Sequence, residues 1–158
     1  MRKKGFTLIE LLVVIAIIAM LMAILMPALS KVKKIAMRVV CGTNLKGLGT
    51  AQTVYANDYD DQLPPDLNTL IEKAEVREKG LICPGAGQKD SYGYCGDGLD
   101  ISCEPTIILV YDKKGNHAEP GRNVLFLDSH VEWVTEERFQ ELIVKVHAVR
   151  KERGLKAH

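Results

Sequence analysis

An excess of charge of either sign is missing from this chain. Its 21 Lys and Arg face 20 Asp and Glu, a formal net charge of +1. That balance gives no electrostatic case for a nucleic-acid partner or an acidic substrate. Aromatic residues are scarce, at 6%, and no internal repeat or low-complexity tract is visible. There is no C-x-x-C pair, so the usual sequence mark of a zinc site is lacking and no metal is expected. Gly85-Ala86-Gly87 is too short for a phosphate-cradling loop and lacks the helix that should follow. Asp128 and His130 lie two apart with no third ligand or nucleophile nearby, and are read as turn hydrogen bonds. Asp112 and His117 are read as loop residues with nothing to recruit them. No nucleophile–base set emerges, so neither an enzyme nor a cofactor is expected.

What is present is concentrated at the start. Residues 1–29 read MRKKGFTLIELLVVIAIIAMLMAILMPAL. A basic head, Arg2-Lys3-Lys4, precedes an apolar run interrupted by Glu10 alone. Counted from Phe6, the run approaches the ~20 residues a helix needs to cross a bilayer core. The basic residues on its N-terminal side keep the head in the cytoplasm and send the rest of the chain outward. A carboxylate in such a helix costs at least ~2.5 kcal/mol, so Glu10 needs a partner or a function. Cleavage between Gly5 and Phe6 would create an α-amino group one turn before it. That amine, or the same amine on a neighbouring subunit, is the natural partner.

The string K-G-F-T-L-I-E-L-L-V-V-I-A-I-I-A resembles the class III signal of type IV pilins and type II secretion pseudopilins. The resemblance is specific over about the first thirty residues and weakens after them. It implies a prepilin peptidase that cuts after Gly5 and methylates the amine of Phe6. It implies that Glu10 sets subunit register in a filament, and that Pro27 marks a helix kink where the filament core loosens. Two other readings compete. An ordinary secretory signal would use Ala28-Leu29-Ser30 as its cleavage site, and an unprocessed signal anchor would keep the whole segment. Glu10 argues against the first, because apolar signal cores rarely hold a carboxylate.

Beyond this segment there is chain enough for one small domain. Four cysteines, Cys41, Cys83, Cys95 and Cys103, permit disulfides in an exported domain. Cys95 with Cys103 would close a short ring, and Cys41 with Cys83 would tie the long helix to the domain. Four buried free thiols are the alternative.

Taken in order, Leu29, Val32, Ile35, Ala36, Val39 and Val40 continue a helical stripe with basic residues between them. The helix is expected over residues 6–57, with Gly42 as a place where it could break. Residues 57–65 form a polar loop whose carboxylates invite calcium. The EF-hand spacing fails there, and the support is by analogy to pseudopilins whose calcium loop lies nearer the C-terminus. Residues 66–79 read as a short helix with Asp66 as N-cap and Gly80 as stop. Residues 81–84 read as a short strand or extended entry, and residues 85–102 as a variable surface loop. Residues 106–111 and 123–128 are strands, the second returning through Ser129 as a hairpin with residues 130–134. LFLDSHVEWV resembles a closing hairpin in some prepilin-type proteins, where glycine commonly stands in place of Ser129. Thr135 opens a last helix with an apolar stripe of Phe139, Leu142, Ile143 and Val146, followed by a charged, fraying end.

The expected fold is α+β: a long N-terminal α-helix packed on a small antiparallel β-sheet domain with a C-terminal helix, pilin-like. Residues 1–5 are the leader, 6–29 the transmembrane or filament-core half of the helix, and 30–158 the globular domain with the rest of the helix. The expected function is a structural subunit in a bacterial inner membrane, its N-terminus cytoplasmic and its domain extracytoplasmic. Its partners would be prepilin peptidase, like subunits and other pseudopilins, an inner-membrane assembly platform and membrane lipid. A secretion pseudopilus and a type IV pilus-like filament both fit. The alternative is a membrane-anchored binding module that is processed like a pilin but does not polymerise, with residues 85–102 as its working surface.

Overall fold

The computed structural model describes residues 7–88 and 90–156. The chain divides into two units, Met1–Ile35 and Ala36–His158. Helix α1, Leu8–Asp58, contributes to both. Gly42 does not break it, and Pro27 stands within it. Proline has no N–H to donate, so one backbone bond of that turn is missing.

In the second unit, α1 presents Cys41, Leu45, Leu48, Gln52 and Ala56 to the interior. Their spacing of three and four residues is one face of a helix. Against it lies a four-stranded antiparallel meander, ordered β1 (Tyr92–Tyr94), β2 (Ile108–Asp112), β3 (Arg122–Phe126) and β4 (Val131–Val134). Strand residues alternate between faces, and the contacts show which face is which. Asn123 Nδ2 donates to the Arg38 carbonyl of α1 at 3.1 Å. Its neighbour Arg122 lies 3.9 Å over the ring of Phe139 and pairs with Glu136, both on α3 (Glu136–Glu152). The second half of α1 and α3 therefore cover opposite faces of the sheet. Central β3 is buried at every position, whereas edge strand β4 is buried only at Val134.

Several local expectations hold in their mechanism. Asp66 Oδ1 accepts the Thr69 N–H at 2.8 Å and caps α2. Thr135 Oγ1 accepts the Arg138 N–H and caps α3. Ser129 takes the left-handed conformation, φ 65°, that a glycine would adopt without strain. The 126–130 turn closes through Phe126 N–H to the His130 carbonyl at 3.0 Å. Asp128 accepts the His130 backbone N–H and pairs with its ring, as a turn would have it.

Others are corrected. Helix α2 spans only Leu67–Lys73, because Glu75 turns left-handed at φ 53°. The Leu70 carbonyl accepts both the Ala74 and Val76 N–H groups there. A 3-10 helix, Glu78–Leu81, stands where the longer helix was expected, and of the two readings of residues 81–84 the extended entry holds at Ile82, with no strand formed. Residues 85–102 are not a free surface loop. They contain β1, and Tyr92, Cys95 and Leu99 are core residues. The charged end is anchored rather than frayed at Arg150, which is 2% exposed. Its guanidinium donates to the carbonyls of Cys95, Asp97 and Lys156 and to the Asp97 carboxylate. In the loop at residues 57–65, Asp60 and Asp61 are left-handed, and the Asp61 carbonyl accepts the Ile101 N–H at 3.0 Å.

Candidate functional site

Two places carry chemistry. The first is the apolar stretch of α1. Every large apolar side chain from Leu8 to Val32 is exposed, and the most covered of them, Ile18, is still 45% exposed. Among the described residues this is one helix long and apolar enough to cross a membrane, and none of its most apolar 18-residue window is buried. A helix apolar all round needs lipid or other helices about it.

Glu10 has a local partner that the sequence reading passed over. Its Oε2 accepts the Thr7 backbone N–H at 2.8 Å and the Thr7 hydroxyl at 2.7 Å. Thr7 Oγ1 in turn accepts the Glu10 N–H at 3.3 Å. This is a reciprocal capping box, and T-x-x-E is its sequence signature. Thr7-Leu8-Ile9-Glu10 was therefore legible as a helix start. Gly5 and Phe6, the expected cleavage and methylation positions, lie outside the described residues.

The second place is interior. The four cysteines are free and buried, so neither expected disulfide is formed. Cys41 and Cys83 do converge, but together with Asp112 and His117, and one ligand-type atom from each lies within 4.8 Å of the others. The fold explains why. Asp112 ends β2 and pairs in register with Tyr92, while Tyr111 faces α3. Alternation thus turns Asp112 toward Cys41 on α1. Cys83 follows the 3-10 helix, and His117 comes from the turn between β2 and β3. The view of Asp112 and His117 as unrecruited loop residues is corrected.

Cys41 Sγ lies 2.8 Å from Asp112 Oδ1 and 3.2 Å from the Tyr92 hydroxyl. His117 Nε2 lies 3.3 Å from Cys83 Sγ and 3.1 Å from Asp112 Oδ2. Asn123 steadies that same oxygen through its backbone N–H at 3.1 Å and Nδ2 at 2.9 Å. The His117 ring meets Trp133 edge-on at 5.7 Å, and the Arg38 guanidinium lies over the Trp133 ring at 4.7 Å. The side chains of His117 and Asp112 are 4% and 0% exposed.

The Cys41 proton is sought by both the Asp112 carboxylate and the Cys83 sulfur. The hydrogen bond to Cys83, with burial and the Asp112 charge behind it, holds the Cys41 thiol well above its ordinary value. The same bond pushes Cys83 down to about 6, with help from the Ala86 and Gly85 N–H groups. Cys83, His117 and Asp112 contain the residue types of a nucleophilic triad. A triad, however, needs its acid and its nucleophile on different imidazole nitrogens. Here both meet Nε2.

A capped helix whose first stretch is apolar all round, followed in sequence by a small α+β domain, defines the pilin-like class. Comparison with known proteins agrees. The family described as the prokaryotic N-terminal methylation motif matches residues 1–26. The chain is 44% identical over 59 residues to the type IV major pilin protein PilA of Myxococcus xanthus, covering 37% of this chain and only 27% of that protein. It is 35% identical over 82 residues to the competence protein ComGC of Halalkalibacterium halodurans, covering 52% of this chain and 78% of that one. A ComG operon protein 3 homolog of Bacillus licheniformis is 32% identical over 84 residues, 53% of this chain and 84% of that protein. No solved structure matches the chain. The chain belongs to the type IV pilin and pseudopilin family.

Proposed function

We propose that this protein is a structural, non-enzymatic filament subunit. It enters a bacterial inner membrane with its basic head in the cytoplasm and its domain outside. A prepilin peptidase cuts after Gly5 and methylates Phe6, and the apolar helix then packs with like helices in a filament. The observation that carries this reading is the wholly exposed apolar stretch of α1, most of it within the matched methylation motif. Moving such a helix from lipid into a bundle exchanges one apolar environment for another. Close packing and the Glu10 carboxylate must then supply the bias, and repeated head-to-tail contacts give an open filament.

The names of the relatives, a type IV major pilin and a competence protein, support a type IV pilus-like filament over a secretion pseudopilus. The non-polymerising binding module loses ground, because much of residues 85–102 is interior.

The test is intact mass and N-terminal sequencing of protein from its native membrane, with crosslinking in place. A chain starting at methylated Phe6 and giving ladders of like subunits is the expected result. An unprocessed Met1, a start at Lys31, or crosslinks to a single foreign partner would overturn it. Deleting the gene and scoring surface filaments beside secreted protein separates the two kinds of filament.

A further inference from the structure

We propose that Cys41, Cys83, Asp112 and His117 form a closed, four-ligand site for zinc, which clamps the Cys41 segment of α1 to the sheet.

The donor set is the first argument. Two sulfurs, one imidazole and one carboxylate are the groups zinc takes, and four protein ligands in a closed shell mark a structural site rather than a catalytic one. Distance is the second. Zinc bonds of about 2.3 Å to sulfur and about 2.0–2.1 Å to nitrogen or oxygen give tetrahedral edges of roughly 3.6 Å for S···N and roughly 3.3 Å for N···O. The Cys83 Sγ···His117 Nε2 and His117 Nε2···Asp112 Oδ2 distances are 3.3 and 3.1 Å. Those two edges need a few tenths of an ångström of expansion to span the ion, and all four donor atoms lie within 4.8 Å of one another.

The surroundings are the third argument. Metal ligands are held by partners of their own, and the structure shows one for Asp112 and one for Cys41. Asn123 binds Asp112 twice, and the Tyr92 hydroxyl meets Cys41. Gly85 leaves room for the imidazole: a Cβ there would come within 2.9 Å of His117 Nδ1 and collide with the Asn116 carbonyl.

A Cys41–Cys83 disulfide is the competing outcome in an oxidising compartment. It would use two of the four donors and leave Asp112 and His117 paired only with each other and Asn123. The zinc site uses all four and does not depend on the filament reading.

The experiment uses the full chain purified in detergent under anaerobic conditions. Elemental analysis should find one zinc per chain. Exchange with cobalt(II) alone should give the near-ultraviolet sulfur-to-cobalt band and the strong visible bands of a tetrahedral thiolate site. Asn123→Ala keeps all four donors and should weaken zinc binding roughly 10–100-fold. Cys83→Ser and His117→Gln should abolish the stoichiometric site, while Cys95→Ser and Cys103→Ser should leave it intact. A cobalt spectrum without the sulfur band overturns the proposal, and it is read on the unaltered chain, so a variant that fails to fold does not obscure it. A zinc-free protein lighter by two hydrogens, with Cys41 joined to Cys83, overturns it equally.

Discussion

The stretch of α1 before Ala36 and the stretch after it are both helix, yet they answer different surroundings. The first shows large apolar side chains on every side and buries none of them. The second concentrates its burial on one face, Cys41, Leu45, Leu48, Gln52 and Ala56, and leaves polar residues such as Thr43 and Thr50 exposed. One-sided burial is how a helix joins a domain already in water. All-round apolarity is how it joins lipid or other helices. The comparison teaches that sidedness of the stripe, more than its apolar content, tells where a helix belongs.

The largest effect expected is at Glu10, where the comparison can be broken at the first stretch. Glu10→Ala should leave cleavage intact and reduce filament yield to background, as counted by electron microscopy. The capping box makes this test sharper. Glutamine also serves in a capping box, so Glu10→Gln keeps the local bonds and loses the charge. If Glu10→Gln fails as Glu10→Ala does, charge pairing between subunits is the role. If it assembles normally, Glu10 acts through the cap, worth about 1 kcal/mol, and the register role is lost.

Next comes a matched pair of leucines. Leu45 is fully buried, and Leu45→Ala should cost about 2–5 kcal/mol in denaturant unfolding of the domain. Leu21 is exposed on the first stretch, and Leu21→Ala should leave that unfolding curve unmoved. Equal shifts would mean that the first stretch is packed against protein after all.

Two glycines sharpen the point within the second stretch. A Cβ at Gly49 would lie 2.8 Å from Leu125 Cδ1 and 3.1 Å from Ser129 Cβ, whereas one at Gly47 would meet nothing within 4 Å. Gly49→Ala should therefore destabilise by about 1–3 kcal/mol. Gly47→Ala should stabilise by up to about 1 kcal/mol. Thermal melts of the two variants should move in opposite directions.

The smallest effect is electrostatic. The Arg122 guanidinium beside Glu136 holds its carboxyl below the ordinary 4.5. A depressed folded value adds stability above the unfolded one and loses it as pH falls through the folded one. Wild type and Glu136→Gln should differ by under about 1 kcal/mol at neutral pH, and their unfolding curves should converge in acid. A gap that widens in acid would contradict the pairing.

Much of the fold was legible because its signals are local. The caps at Asp66 and Thr135 are single residues read against their next turn. The 126–130 turn and the α3 stripe are patterns a few residues long. Burial of residues 91–99 was not legible. Gly, Asp and Ser usually mark loops, and here the glycines let β1 and its flanks fit beneath other elements. Arg150 misled for a related reason: a charged tail reads as solvated unless one knows that the Cys95 and Asp97 carbonyls wait for it.

The N-terminal helix and its class follow from local pattern, since a continuous apolar run and a T-L-I-E start depend on nothing farther away than a turn. The Cys41–Cys83–Asp112–His117 cluster exists only once the chain has folded. Its members sit on a helix, a loop, a strand end and a turn, separated by up to 76 residues. Strand alternation and α1 packing bring them together, and no pattern of neighbouring residues encodes that meeting.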